Sequence, residues 1–210
     1  MTDPGADAFG GPGRLVLVVG PSGAGKDTLI RAARDRFASD PRFHFPRRMV
    51  TRPASAAEDN HSCDPATFHR MAEAGGFAAS WTAHGQSYGI PASIGLALAD
   101  GRTVVCNVSR TVVDVLRARY PDVLVIEVTA PPSVLAERLA ARSRPEDGDL
   151  SRRVRRSGEV RDVRPDLTVT NVGPLDEAAA AFCEALASRT TTASADRPSA
   201  DRQASDTASI

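Results

Sequence analysis

Residues Leu15–Thr28 read LVLVVGPSGAGKDT, and the fold follows from how this stretch divides. Leu15 to Val19 is a short, unbroken apolar run, the pattern of a parallel strand buried on both faces. Gly20 ends it, and GPSGAGK fits the pattern GxxxxGK. Gly20, Gly23 and Gly25 let the backbone turn tightly with positive φ, so that successive N–H groups point inward at phosphate oxygens. The helix that begins near Lys26 adds the positive end of its dipole. On this reading Gly20, Pro21, Ser22, Gly23, Ala24, Gly25, Lys26, Asp27 and Thr28 surround the phosphates of ATP. Lys26 is the first catalytic candidate, reaching the β and γ phosphates as charge shifts during transfer. Glycine-rich turns that bind nothing show the same spacing, so context has to separate the two. Here a buried strand precedes the loop, and Leu29, Ala33 and Phe37 follow at helical spacing. Lys26 is also the only lysine among 26 basic residues, at a place where arginine's wide fork is a poor substitute.

One position departs from the standard motif. After the lysine the usual residue is Ser or Thr, whose hydroxyl binds Mg²⁺; here it is Asp27, with Thr28 next. A carboxylate is a harder ligand for Mg²⁺, but it sets a negative charge beside the phosphates, which only a bridging metal makes favourable. Asp27 is therefore the candidate metal ligand, directly or through water. The alternative is a first-turn Asp that complements the helix dipole.

Outward from the loop, strand and helix alternate. Strand patterns cover Phe43 to Val50, Thr103 to Asn107, Val123 to Val128 and Leu167 to Asn171. Asp64-Pro65 reads as an N-cap followed by Pro at N1, opening a helix through about Ala74. Phe77 to Thr82 and Ser87 to Ile90 flank a His84-Gly85 turn and predict a small antiparallel excursion. Further helices are marked by Val112, Val113, Leu116 and Tyr120, by Leu135 and Leu139, and by Leu175, Ala178, Phe182 and Leu186. The expectation is an α/β fold, three-layered, with a mostly parallel five-stranded core sheet and right-handed crossovers. The expected kinase domain spans 14–187, with an acceptor-binding insertion at about 51–91 and a lid at about 142–156. Residues 1–13 and 188–210, without apolar periodicity, read as disordered tails.

Composition excludes several classes. The 210 residues carry no net charge, so nothing global points to nucleic acid or an anionic membrane. No apolar run approaches a membrane span, and the N-terminus lacks the features of a signal peptide. A cytoplasmic protein is expected. Cys63, Cys106 and Cys183 stand far apart, in neither disulfide-framework nor zinc spacing. Oligomeric state is left open, a homodimer being one option.

An enzyme that moves a phosphoryl group must also hold an acceptor. Arg47 to His61, RRMVTRPASAAEDNH, leaves a strand with arginines and ends in acids, an amide and a histidine. Arginine forks grip phosphate. Trp81, His84, Tyr88, Asn107, Ser109 and Arg110 converge on the carboxyl edge of the expected sheet, where ligands of open α/β sheets bind. Singly, Trp81 reads as core and His84 as a solvated turn residue.

GPSGAGKD, TRP with the later DNH, SW..HG..YG and NVSR resemble the ribose 1,5-bisphosphate phosphokinases of phosphonate breakdown, in the guanylate-kinase-like branch of P-loop kinases. The resemblance runs from about Arg14 to Leu186. Asp27 is typical of that family. The second arginine and the DY pair with which guanylate kinases bind their base are missing, while Ala57 and Asp59 stand where the family has Gly and Glu. The resemblance implies ATP and Mg²⁺ as cofactors and ribose 1,5-bisphosphate as the small-molecule acceptor, giving 5-phosphoribosyl 1-diphosphate. It implies acceptor contacts from Arg48, Arg52, Asp59, Asn60, His61, Tyr88, Asn107, Ser109, Arg110 and Arg144. Arg142, Arg144, Arg153 and Arg156 match its lid positions, with Arg142 and Arg153 as further catalytic candidates; a solvated basic helix face is the plain alternative. Asn171 falls where adenine lies by fold analogy. Two other readings stay open: a guanylate or other small-metabolite kinase, and a nucleotide-binding module without catalysis.

Overall fold

A computed structural model of the chain describes residues 11–53, 59–83, 85–142 and 163–188. The apolar run forms strand β1 (Arg14–Val19). Leu15, Leu17 and Val19 enter one hydrophobic cluster, and Val16 and Val18 enter another. Successive strand side chains point to opposite faces, so this division shows β1 covered on both sides, each buried Leu or Val contributing roughly 1.5–3 kcal/mol.

The central sheet places β1 in the middle, in the order β2 (Phe43–His44), β7 (Thr103–Asn107), β1, β8 (Val123–Thr129), β9 (Leu167–Thr170). Every pairing in it is parallel. The α-helices among the described residues are α1 (Lys26–Arg36), α2 (Pro65–Glu73), α3 (Ile94–Ala99), α4 (Val113–Arg119), α5 (Pro132–Arg142) and α6 (Leu175–Ala187). The fold class is the expected one, a parallel α/β sheet with helices packed on it. The chain leaves β1 toward β2 on one side and later fills β8 and β9 on the other. The reversal of order falls beside the carboxyl end of β1, where such sheets bind ligands.

A second sheet, in the order β4 (Asn60–Ser62), β3 (Arg48–Val50), β6 (Gln86–Pro91), β5 (Phe77–Ala83), carries the acceptor segment. This corrects the single strand expected over Phe43 to Val50. Phe43–His44 pairs with β7 in the central sheet, while Arg48–Val50 pairs with β4 and β6 in the small one. The break spans Phe45 to Arg47 around Pro46, which has no N–H to give a ladder. The β5–β6 hairpin is antiparallel as expected, with Trp81 opposite Tyr88. Asp64 caps α2 by accepting from Thr67 N–H at 2.9 Å, with Pro65 opening the helix.

At the N-terminal side Gly13 N–H donates to Leu98 O at 3.0 Å, so the described chain is anchored just before β1. The remaining tail expectations, on 1–10 and 189–210, fall outside the described residues. So do His84, Ala57 with the rest of 54–58, and most of the lid segment.

Candidate active site

The loop after β1 has the geometry its glycines predict. Gly20, Gly23 and Gly25 adopt φ of 142°, 86° and 88°. Two of them are also sterically required. A Cβ on Gly20 would lie 2.0 Å from Val128 O, and one on Gly25 would lie 2.3 Å from Asn171 Nδ2. The loop curls back on itself, and Lys26 Nζ donates to Gly20 O at 2.8 Å and Pro21 O at 2.9 Å. That pair of carbonyls holds the ammonium in the mouth of the loop.

A cavity of about 610 Å³ opens there, within the range of small-molecule sites. Gly20, Ser22, Gly23, Gly25, Lys26, Asp27 and Thr28 form its loop side. Pro21 takes part through its carbonyl, and Ala24 is buried beneath. From the expected acceptor set, Arg48, Arg52, Tyr88, Asn107 and Ser109 line the same cavity, joined by Trp81.

Arg48 is the most constrained of these. Its Nε donates to Asn60 Oδ1 at 3.2 Å, an Nη2 lies 3.6 Å from Asp27 Oδ1, and its guanidinium carbon sits 5.6 Å from the Tyr88 ring centroid. Tyr88 in turn stacks on Trp81, with centroids 5.5 Å apart and planes within 7°. The stacked rings form one wall and brace an arginine against the floor.

Four expected residues, Asp59, Asn60, His61 and Arg110, stand outside this cavity's lining. Asp59 pairs with Arg34 of α1 and with Arg47 at 2.6 Å; with Asn60 it borders a smaller neighbouring cavity. His61 is exposed on β4. Arg110, in a short 3-10 turn after β7, is paired with Glu127 of β8 and is not among the residues lining the cavity.

On the opposite side Asn171, only 4% exposed, donates Nδ2 to Ala24 O at 2.8 Å. It clamps the loop from the β9 side and also lines the cavity. Sequence reading missed Arg138 of α5. It borders the cavity near Gly25, and its Nη1 is buried without a hydrogen-bond partner among the described residues. A guanidinium nitrogen in that condition is costly unless a ligand satisfies it. The signal was available, since Arg138 lies one helical turn before Arg142 on the same face. Arg142 is the last residue of α5, but its side chain, like Arg144 and Arg153, is outside the described residues. Cys106, one residue before Asn107, is no nucleophile: burial pushes its thiol up to about 12.

No protein-family model matches the chain. Among curated proteins, ribose 1,5-bisphosphate phosphokinase PhnN of Methylobacterium radiotolerans is 56% identical over 169 residues, 80% of this chain and 94% of that one. The PhnN of Rhodopseudomonas palustris is 56% identical over 163 residues, 78% of this chain and 82% of its own. The chain belongs to the ribose 1,5-bisphosphate phosphokinase family. A guanylate kinase from Anaplasma phagocytophilum superposes with a TM-score of 0.61 at 17% identity, covering 84% of this chain and 86% of that one. That likeness shows the fold alone.

In this member of the ribose 1,5-bisphosphate phosphokinase family the donor set suits a magnesium–nucleotide complex. Mg²⁺ keeps several waters and binds through one or two carboxylates plus substrate phosphates. No cluster of three His, Cys, Asp or Glu exists among the described residues. One carboxylate, Asp27, reaches the cavity beside Lys26 and the loop. Its Oδ1 accepts from Asn107 Nδ2 at 2.7 Å and faces Arg48; Oδ2 accepts no hydrogen bond among the described residues. Among the described residues the donor set therefore fits a cation that takes a single protein carboxylate, rather than a protein cage.

Proposed function

We propose that this chain transfers the γ-phosphoryl group of ATP to the 1-phosphate of ribose 1,5-bisphosphate, forming ADP and 5-phosphoribosyl 1-diphosphate, a step of phosphonate breakdown. The observation that carries the substrate is the pair Arg48 and Arg52 in the same cavity as the phosphate loop, in a chain 56% identical to a PhnN kinase. Two arginines face an acceptor with two phosphates, and the stacked rings leave one of them braced in place.

An oxygen of the 1-phosphate attacks the γ phosphorus in line. A P–O bond forms to it, the bond from the γ phosphorus to the β–γ bridging oxygen breaks, and ADP leaves. A phosphate oxygen is already anionic near neutral pH, so no general base is required. Positioning and charge neutralisation supply the acceleration. Lys26 and the loop amides hold the transferring and leaving phosphates, Arg48 and Arg52 hold the acceptor, and Asn171 keeps the loop in shape. Arg138 binds on the nucleotide side, where its orphaned Nη1 gains a partner. Arg142, Arg144 and Arg153 serve as lid arginines that close over the phosphates. Asp27 would hold Mg²⁺ beside the loop, and the ion would supply charge neutralisation to the phosphates there. The reading places the enzyme in the cytoplasm, acting on a free sugar phosphate; among the described residues no helix is long and apolar enough to cross a membrane.

The test is an acceptor panel with ATP–Mg²⁺, comparing ribose 1,5-bisphosphate, ribose 5-phosphate, GMP and AMP by ADP release. Turnover is expected with the bisphosphate and at background with the rest. Turnover with GMP but not the sugar bisphosphate overturns the substrate assignment.

A further inference from the structure

Asn107, one of the expected acceptor residues that line the cavity, also hydrogen-bonds the candidate metal ligand Asp27. It stands at the end of β7, beside β1 in parallel register, and is one of only two buried polar side chains among the described residues. Burying an amide is costly unless it is hydrogen-bonded. Its Nδ2 meets that cost by donating to Asp27 Oδ1 at 2.7 Å.

The alternative partner of Asp27 is Arg48, whose Nη2 approaches the same oxygen at 3.6 Å. That is within ion-pair range but longer than the roughly 2.7–2.9 Å of a charge-assisted hydrogen bond. Asn107 thus wins the oxygen without neutralising it. An amide donor leaves the carboxylate fully charged, whereas closure onto Arg48 would cancel the charge a cation needs. The hydrogen bond falls on Oδ1, and Oδ2 accepts no hydrogen bond among the described residues. In P-loop enzymes a hydroxyl after the lysine and an Asp elsewhere in the site commonly share the metal. Here the carboxylate follows the lysine and an amide from the neighbouring strand steadies it.

We propose that Asn107 is a positioning residue: it holds Asp27 off Arg48 and orients the carboxylate as a ligand for the divalent cation that accompanies the nucleotide. This rests on the proposed metal role of Asp27. Outer-sphere partners of this kind change metal affinity by roughly 10–100-fold.

The experiment measures Mn²⁺ affinity of the enzyme–ADP complex by EPR, and ADP affinity in EDTA by calorimetry. It uses the parent, Asn107→Ala, the volume-keeping Asn107→Leu, and Asp27→Asn. Loss of about 10-fold or more in Mn²⁺ affinity is expected for either Asn107 variant, with metal-free ADP affinity within about two-fold of the parent. A purely structural role would lower both affinities together, and that result overturns the proposal. If Asp27→Asn weakens Mn²⁺ binding and neither Asn107 variant does, the positioning role is wrong while the metal role of Asp27 stands. If no variant changes Mn²⁺ affinity, both are wrong.

Discussion

Lys26 is the residue on which most of the proposed chemistry converges, and its surroundings suit a lysine in a chain whose other basic residues are all arginine. The ammonium sits between two carbonyl oxygens, at 2.8 and 2.9 Å. A compact ammonium with three rotatable donors satisfies both. A guanidinium is planar, wider, and directs its donors along a fixed fork. Lys26→Arg is therefore expected to lower turnover by about 100-fold or more, the usual order for losing one preorganised charge contact. Thermal stability should stay close to the parent, because Lys26 lies in the cavity and outside both hydrophobic clusters. Steady-state kinetics beside a melting curve checks this; an arginine variant with near-parental turnover would show that charge alone suffices. Asp27 was recognisable in the sequence as the irregular member of the loop. That Asn107 and Arg48 both approach its Oδ1 was not, because the three lie on segments far apart in the chain and meet only when α1, β3 and β7 are placed.

At the level of elements, legibility followed local chemistry. The β1 run, the Asp64-Pro65 start of α2 and the Trp81/Tyr88 hairpin were readable because a few adjacent residues determine each one. Pro46 carried the clue to the break between β2 and β3, but a break does not say that the two halves join different sheets. Strand β4 was missed because Asn60, His61 and Ser62 are polar and pair only along one edge of a small sheet. Helix α3 was missed because six residues, IGLALA, show no helical periodicity. Arg138 was passed over in favour of the denser arginine cluster after it. Other elements are joined by single polar residues, and Asp166 is the clearest. Its Oδ2 accepts from Val125 N–H of β8 at 2.6 Å and pairs with Arg117 of α4 at 2.9 Å, just before β9 begins. Asp166→Ala leaves a backbone donor and a cation without that acceptor, and is expected to cost about 1–3 kcal/mol. Asp166→Asn, which keeps an acceptor, should cost less. Urea denaturation reads the difference, and equal midpoints for parent and Asp166→Ala would show that water replaces the carboxylate.

For the molecule as a whole, the sheet is sealed by hydrophobic clusters on both faces, and the candidate catalytic groups line a cavity at one edge. Stability and chemistry are thereby largely separate, which allows a pH effect on folding to be isolated from the phosphate site. His44 provides one. It lies on β2, at the sheet edge opposite β9, in register with Val104. Burial, and secondarily the nearby Arg102 guanidinium, hold its imidazolium form below the ordinary value of 6.5. Arg102 is itself fixed there by donating to Phe43 O at 2.7 Å. In the unfolded chain His44 loses both influences and takes a proton at its ordinary value. Between that value and the lower folded one, the unfolded state binds more protons, so stability rises with pH across the interval. The His44 contribution is complete above about pH 7 and is lost as pH falls from there through the folded pKa. Melting curves from pH 7.5 down to pH 5 should show the parent losing stability faster than His44→Gln, which has nothing to protonate. The gap between them should narrow or reverse toward low pH. Parallel curves would mean that His44 takes up its proton as readily in the folded sheet as in the open chain.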